Sequence, residues 1–219
     1  MKPQKILDFL NTHPDFLAEH AETLGIRLKD DKVRSFAQGQ VVASRIKTEK
    51  MTQRMEDMLD AAQRNHITMQ RLLKFDLRLL QAKTLNQVVK AVSASLNDDF
   101  GLPYFSFKLI VTPKIKTKLP ESLNLPEHLK IAAEWKKLKQ PICSQQLSAE
   151  ARALLPNDVI LESFLQLPLW FGKYVGGVLL LGHPDPHHFA PDLPTEYVQR
   201  LAEALSAVLA RLTGWRHDD

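Results

Sequence analysis

Cysteine is almost absent from the 219 residues: Cys143 is the only one, so no intrachain disulfide can form and a disulfide-dependent scaffold is excluded. Charge of one sign is scarcely in excess, since 29 Lys and Arg face 25 Asp and Glu for a net +4. No apolar run approaches the length of a membrane span, and Met1-Lys2-Pro3-Gln4-Lys5 carries no secretion pattern, so a cytoplasmic chain without membrane contact is expected. The motifs of common catalytic chemistries are also missing. There is no Gly-x-Ser-x-Gly elbow, no glycine-rich phosphate loop and no His-Glu-x-x-His pair, and an enzyme is not expected. What remains, 44% hydrophobic and 25% charged residues, is the composition of an ordinary globular chain rather than a disordered or collagen-like one.

Punctuation by proline and glycine divides the chain into a helical first part and a mixed second part. Pro3 opens a helix carrying Ile6, Leu7 and Leu10, Pro14 interrupts it, and Gly25 is placed to end a second helix bearing Phe16, Leu17 and Leu24. Residues 1–34 thus read as short helices, with the charged stretch Arg27 to Arg34 as a solvated connection. Residues 35–82 then contain no proline and predict one long helix, with Ser35 and Gln38 at capping-box spacing. Met55, Leu59, Ala62, His66, Met69, Leu73, Leu77 and Leu80 step by threes and fours, the seam of a coiled coil. Homodimerisation through Leu59, Met69, Leu73 and Leu80 is expected.

Residues 83–214 change character. Thr84 and Gln87 are spaced to cap a helix bearing Leu85, Val88, Val92 and Leu96, after which Tyr104 to Thr112 alternates as a strand. Pro126 to Lys137 reads as a helix, Pro141 to Ser144 as a short strand, and Ser148 to Leu155 as a short helix. Ser163–Phe171 and Tyr174–Gly182 flank Gly172-Lys173 as a hairpin whose continuous apolar runs imply a sheet covered on both faces. Gly176-Gly177 marks a bulge or a close backbone approach. Asp192 is placed to cap a final helix with Val198, Leu201, Leu205, Val208 and Leu212; its stripe can pack on the sheet or extend the dimer interface through Leu201 and Leu205. Residues 215–219 form a tail. The class is α+β, an antiparallel sheet flanked by helices.

This order of elements, with Lys139-Gln140-Pro141-Ile142 entering a strand and Leu165 to Leu181 as central hairpin, resembles a GAF domain preceded by a long helix. Phe9-Leu10-Asn11-Thr12-His13-Pro14-Asp15-Phe16, Ser35 to Gln40, Ala61 to Asn65, Leu181-Gly182 and Leu193 to Val198 are similar to the landmarks of the domain of unknown function 484 family. Gln38 and Gly39 stand where that family has Glu and Arg. The resemblance implies a GAF-like fold with an amino-terminal helical extension and supplies a fold and a class rather than a chemistry. As GAF domains go, it implies a noncatalytic sensory or regulatory module in which a small molecule or protein partner alters helix packing. No kinase- or cyclase-like stretch follows in the chain, so a signal is expected to leave through another protein.

Candidate sites are few. An apolar ligand would be held by Phe107, Leu109, Trp135, Leu165 and Leu167 on the sheet, residues that a filled core would equally use. If the core is full, the chain is instead a structural adaptor, and the amino-terminal helices around Phe9, Phe16 and Leu17 could take a protein partner. The identity of any cofactor is open. His183, His187 and His188 form the most metal-like group, but two intervening prolines favour a turn, and no metal site is expected. Cys143 reads as a small core residue. Lys114, Lys116 and Lys118, with Lys130, Lys136, Lys137 and Lys139, form a basic stretch in which no interleaved aromatics are evident, so nucleic acid is the disfavoured partner.

Overall fold

A computed structural model describes residues 3–25, 30–193 and 195–215, and for residues 30–38 the backbone alone. The chain divides into two compact units, residues 1–64 and 65–219. The first contains α1 (Pro3–Thr12), α2 (Phe16–Glu19) and the beginning of α3 (Asp30–Gln81). In α1 and α2, Phe9 stacks on His13 with centroids 4.5 Å apart and meets Phe16 edge-on at 5.0 Å, so the amino-terminal aromatics contact one another. The described part of helix α3 is already helical at Asp30, five residues before the expected cap at Ser35, whose side chain, like the connection at residues 27–29, lies outside the described residues.

The second unit is built on a four-stranded antiparallel sheet of order β1-β4-β3-β2, from β1 (Phe105–Leu109), β2 (Ile142–Ser144), β3 (Ser163–Phe171) and β4 (Tyr174–His183). Its register sets Phe107 opposite Leu179 on one side of β4 and Leu167 opposite Leu179 on the other. Strand parity does the rest. Phe107, Leu109, Leu165, Leu167, Leu169 and Leu181 point to one face, while Phe164, Val178 and Leu180 point to the other. The first face is covered by the end of α3, by α4 (Leu85–Ala94) and by α7 (Glu196–Thr213). The second is covered by the short helices α5 (Ala132–Trp135) and α6 (Ala149–Arg152) with their loops. The hairpin is therefore buried on both sides, as its continuous apolar runs require.

Local chemistry fixes the helix ends. Thr84 Oγ1 accepts from Gln87 N at 3.3 Å, and the Gln87 amide oxygen accepts from Lys83 N at 2.7 Å, a reciprocal cap at the start of α4. That helix ends in a π-helical turn, Ser95–Phe100, which places Asp99 against α3. The Asp99 carboxylate receives Lys74 Nζ at 2.5 Å and Arg78 Nη1, and Arg78 also donates to Ser95 Oγ at 2.7 Å. Burial on its own would raise the Asp99 pKa, but its hydrogen bonds and charge interactions with Lys74 and Arg78 outweigh that and hold it below the usual carboxylate value.

Several expected elements differ: α2 ends at Glu19 rather than at Gly25, and the helix expected over Ser148 to Leu155 spans only Ala149–Arg152. Pro126 to Lys137 is not a continuous helix: only Ala132–Trp135 is helical, preceded by turns such as Leu129 N to Pro126 O. Leu125, Leu129, Ile131, Trp135 and Leu138 all pack into one cluster, and their uneven spacing cannot lie along one helical face. Asp192 does not cap α7, because the chain first turns through Leu193 N to Ala190 O and the helix starts after Thr195.

Candidate functional site

Helix α3 carries two apolar stripes in its second half. Leu72, Phe75, Leu79 and Ala82 are buried in the core beneath the sheet. Met69, Leu73, Leu77 and Leu80, the expected seam, are exposed, Leu73 by 61% and Leu80 by 68%. At 100° per residue the two stripes are turned about 135° apart, so one helix serves the core and still presents a second apolar face. Leu59 and Met55 are likewise exposed within the first unit. Leu201 and Leu205 are different: both are buried, Leu205 completely, in the core shared with the sheet. Their stripe packs inward, on the sheet, rather than on an exposed face. Arg78 and Lys74, which hold Asp99, lie between the two stripes in sequence and tie the helix to the body of the unit.

The five residues expected to hold a ligand do not line one space. Phe107, Leu109, Leu165 and Leu167 are core residues under the α7 face, whereas Trp135 is completely buried on the opposite face. There its indole Nε1 donates to Gln166 Oε1 at 3.0 Å, filling the interior beneath α5 and satisfying the one amide buried there. These side chains are packing.

Open space instead occurs at the turn end of the hairpin, in two adjoining grooves of about 520 and 560 Å³ that share Lys139, Trp170 and Trp215. The first runs between α7 and β3, floored by Pro168, Ala202, Ser206 and Ala210. The second runs over Tyr174 and the loop Lys136–Lys139. Several backbone devices build this end. Gly214, at φ +80°, ends α7 in the left-handed conformation and directs Trp215 back, with its N–H on Ala210 O at 2.9 Å and its indole on Thr112 O at 3.2 Å. The Trp215 ring lies 6.5 Å from Tyr174 and 6.4 Å from Phe171, and Lys114 Nζ sits 4.1 Å above it as a cation–π contact. A bulge falls at Gly176, between the pairs Leu169–Gly177 and Trp170–Val175. A side chain at Gly176 would meet the Phe171 ring at 2.2 Å, so glycine is required there. Trp170, 38% exposed, has its backbone N–H fixed by Ser206 Oγ at 3.0 Å.

The groove chemistry is cationic and aromatic. Lys136, Lys137, Lys139, Lys173 and Arg211 line it, opposed among the lining residues by the single carboxylate of Glu203. Arg211 also donates through Nη2 to Ala82 O at 3.3 Å, at the end of α3. Sequence reading found part of this lysine set but not the aromatics, because Trp170, Tyr174 and Trp215 come from the hairpin and the far end of α7. Lys116 and Lys118 fall elsewhere in the loop after β1, Lys118 beside Glu121 in a separate depression.

The remaining candidates are structural in character. His183 and His188 stack with centroids 3.8 Å apart, and burial first, then the His183 charge, lowers the His188 pKa against the opposing effect of Asp185. Asp185 Oδ1 accepts from His187 N, and Ser163 Oγ donates to Asp185 O, which closes the loop as a turn. Among the described residues no group of three or more His, Cys, Asp or Glu is placed to hold a metal ion. Cys143 is half-buried on β2, and burial raises its thiol pKa. Among the described residues no helix is long and apolar enough to cross a membrane.

Three similar solved structures are GAF domains. One from an Acinetobacter phosphoenolpyruvate-protein phosphotransferase is 19% identical, with a TM-score of 0.47 over 65% of this chain and 92% of that one. The GAF domain of a Coxiella burnetii phosphoenolpyruvate-protein phosphotransferase is 18% identical, with a TM-score of 0.47 over 67% and 96%. A phycoerythrobilin-bound GAF domain from a cyanobacterial phytochrome is 15% identical, with a TM-score of 0.45 over 68% and 97%. At these values they are likenesses, and the architecture stands on the strand pairing itself. No curated protein matches the chain. Across residues 1–214, both the helical first part and the sheet-bearing second part, the sequence matches the family described as "Protein of unknown function, DUF484", and the chain belongs to that family.

Proposed function

We propose that the protein is a noncatalytic regulatory module that works as a homodimer, paired through the exposed seam of α3. The observation that carries this reading is the second apolar stripe, Met69, Leu73, Leu77 and Leu80, on a helix whose other face already lies in the core. Steps of four and three along that stripe match the repeat by which one helix seats its side chains between those of a like helix, which makes a second copy the natural occupant. A noncatalytic role is supported by the buried polar side chains. Gln166, Ser163, Ser206 and Thr213 are each engaged in a hydrogen bond that fixes the fold, to Trp135, Asp185, Trp170 and Leu209 respectively.

Regulation follows from Arg211, which lines the groove and also holds the last carbonyl region of α3. A molecule in the groove that draws Arg211 away from Ala82 alters the end of the same helix that carries the seam. To shift the dimer it must bind one helix packing better than the other. Mass photometry and sedimentation equilibrium test the assembly: wild type is expected to be a dimer, and the double variant Leu73→Glu and Leu77→Glu a folded monomer with unchanged far-ultraviolet circular dichroism. A wild-type protein that stays monomeric at high concentration overturns the reading.

A further inference from the structure

We propose that the aromatic and basic grooves at the turn end of the hairpin bind single-stranded nucleic acid. Sequence spacing alone gives lysines without aromatics; the folded chain interleaves them. Trp170 and Tyr174, both exposed, stand at the grooves with Lys136, Lys137, Lys139 and Lys173 around them. Trp215 braces Tyr174 edge-on, and one of its faces is taken by Lys114. Five basic side chains, Lys136, Lys137, Lys139, Lys173 and Arg211, face the single carboxylate of Glu203 among the residues that line the two grooves.

That combination has a specific physical use. Flat aromatic rings offer stacking platforms to bases of any sequence, and surrounding cations follow the phosphates. Duplex bases are already stacked and turn their edges, not their faces, outward, so the rings favour a single strand. An anionic membrane would also attract the lysines, but membrane contact is made by apolar residues on the outer face of an amphipathic surface. Here Trp170 and Trp215 line concave grooves of about 520 and 560 Å³, a shape that receives a ring rather than enters a bilayer.

The test is fluorescence anisotropy of a labelled oligothymidine strand with the full chain at low salt. Binding tighter than about 100 µM, the weak end of sequence-independent affinity, is expected. With about four phosphates neutralised, raising salt four-fold should weaken it about 50-fold. Trp170→Ala should lose about five-fold or more, the low end of stacking on one base, and Trp170→Phe should restore most of that. Lys136→Glu with Lys137→Glu should weaken binding and make the salt dependence shallower. Unchanged thermal unfolding of these surface variants keeps the comparison meaningful. No binding at low salt overturns the proposal, as does equal affinity for a duplex of the same length. Stronger binding to phosphatidylserine vesicles assigns the surface to membrane, and full displacement by thymidine monophosphate at equal nucleotide concentration assigns it to a free nucleotide; either also overturns it. The seam variants that test dimerisation change none of these groove residues, so the two ideas fail separately.

Discussion

Phe75 and Leu77 sit two residues apart on α3 and should respond oppositely to truncation. Two steps at 100° turn them about 200° around the helix. Phe75 is completely buried among Leu72, Leu79 and the residues of α4 and α7, whereas Leu77 is 52% exposed on the seam. Phe75→Ala removes a full aromatic side chain from a close-packed interior, a loss of about 3–5 kcal/mol. With a urea dependence of about 2 kcal/mol per molar, the unfolding midpoint should fall by about 2 M, whatever the protein concentration. Leu77→Ala, in solution dilute enough to keep the chain monomeric, should change stability by no more than about 0.5 kcal/mol. As concentration rises, wild type should gain stability from association and Leu77→Ala should gain less, so the gap between them widens. Urea titrations followed by circular dichroism at several concentrations read both effects. Equal losses for the two variants in dilute solution would refute the division of the helix into a core stripe and a seam.

Other outcomes can be stated from single contacts. Asp99 has a folded pKa below its unfolded value near 3.9, so its ion pairs stabilise above that pH and the contribution is lost as pH falls through the folded value; Asp99→Asn should be less stable than wild type at neutral pH and lose that deficit in acid, as chemical unfolding across pH will show. Trp135→Phe leaves the Gln166 amide without its indole donor, at a cost of about 1–3 kcal/mol measurable by urea unfolding. Gly176→Ala drives a methyl into the Phe171 ring and should destabilise by about 1–3 kcal/mol, again by unfolding. Cys143, its thiol pKa raised by burial, should react with a disulfide reagent at pH 7 more slowly than a free cysteine and regain the ordinary rate in denaturant.

The hairpin was legible because two long apolar, leucine-rich runs flank Gly172-Lys173, and the alternation from Tyr104 to Thr112 marked a further strand. The phase of the long helix was only half legible. Leu72 and Leu73 are adjacent, each begins a run of apolar residues at helical spacing, and nothing local says which run meets the sheet. The same ambiguity left the stripe with Leu201 and Leu205 readable either as sheet-packed or as interface, and in the fold both are buried against the sheet. Asp99 had no local signal at all: its partners Lys74 and Arg78 lie 25 and 21 residues earlier, brought near by the π-helical turn. The groove was hidden for the same reason. Its aromatic residues belong to three separated positions that only the bulge at Gly176 and the turn at Gly214 bring together.

Hydrogen-bond geometry at the sheet margins limits how another extended segment can add to the sheet. On β3, beyond the short pairing with β2, Pro168 has no N–H to offer and the Trp170 N–H is taken by Ser206 Oγ. At the opposite margin, Leu109 on β1 bridges Asn124 and Lys108 Nζ donates to Ser122 O. Strand β2 itself is three residues long. At Pro168, Trp170 and Leu109 an incoming extended segment therefore finds the backbone groups absent or engaged, which limits the indiscriminate ladder growth that open edges invite. Any association proposed above would then rest on side chains, and side chains, unlike a peptide ladder, can tell one partner from another.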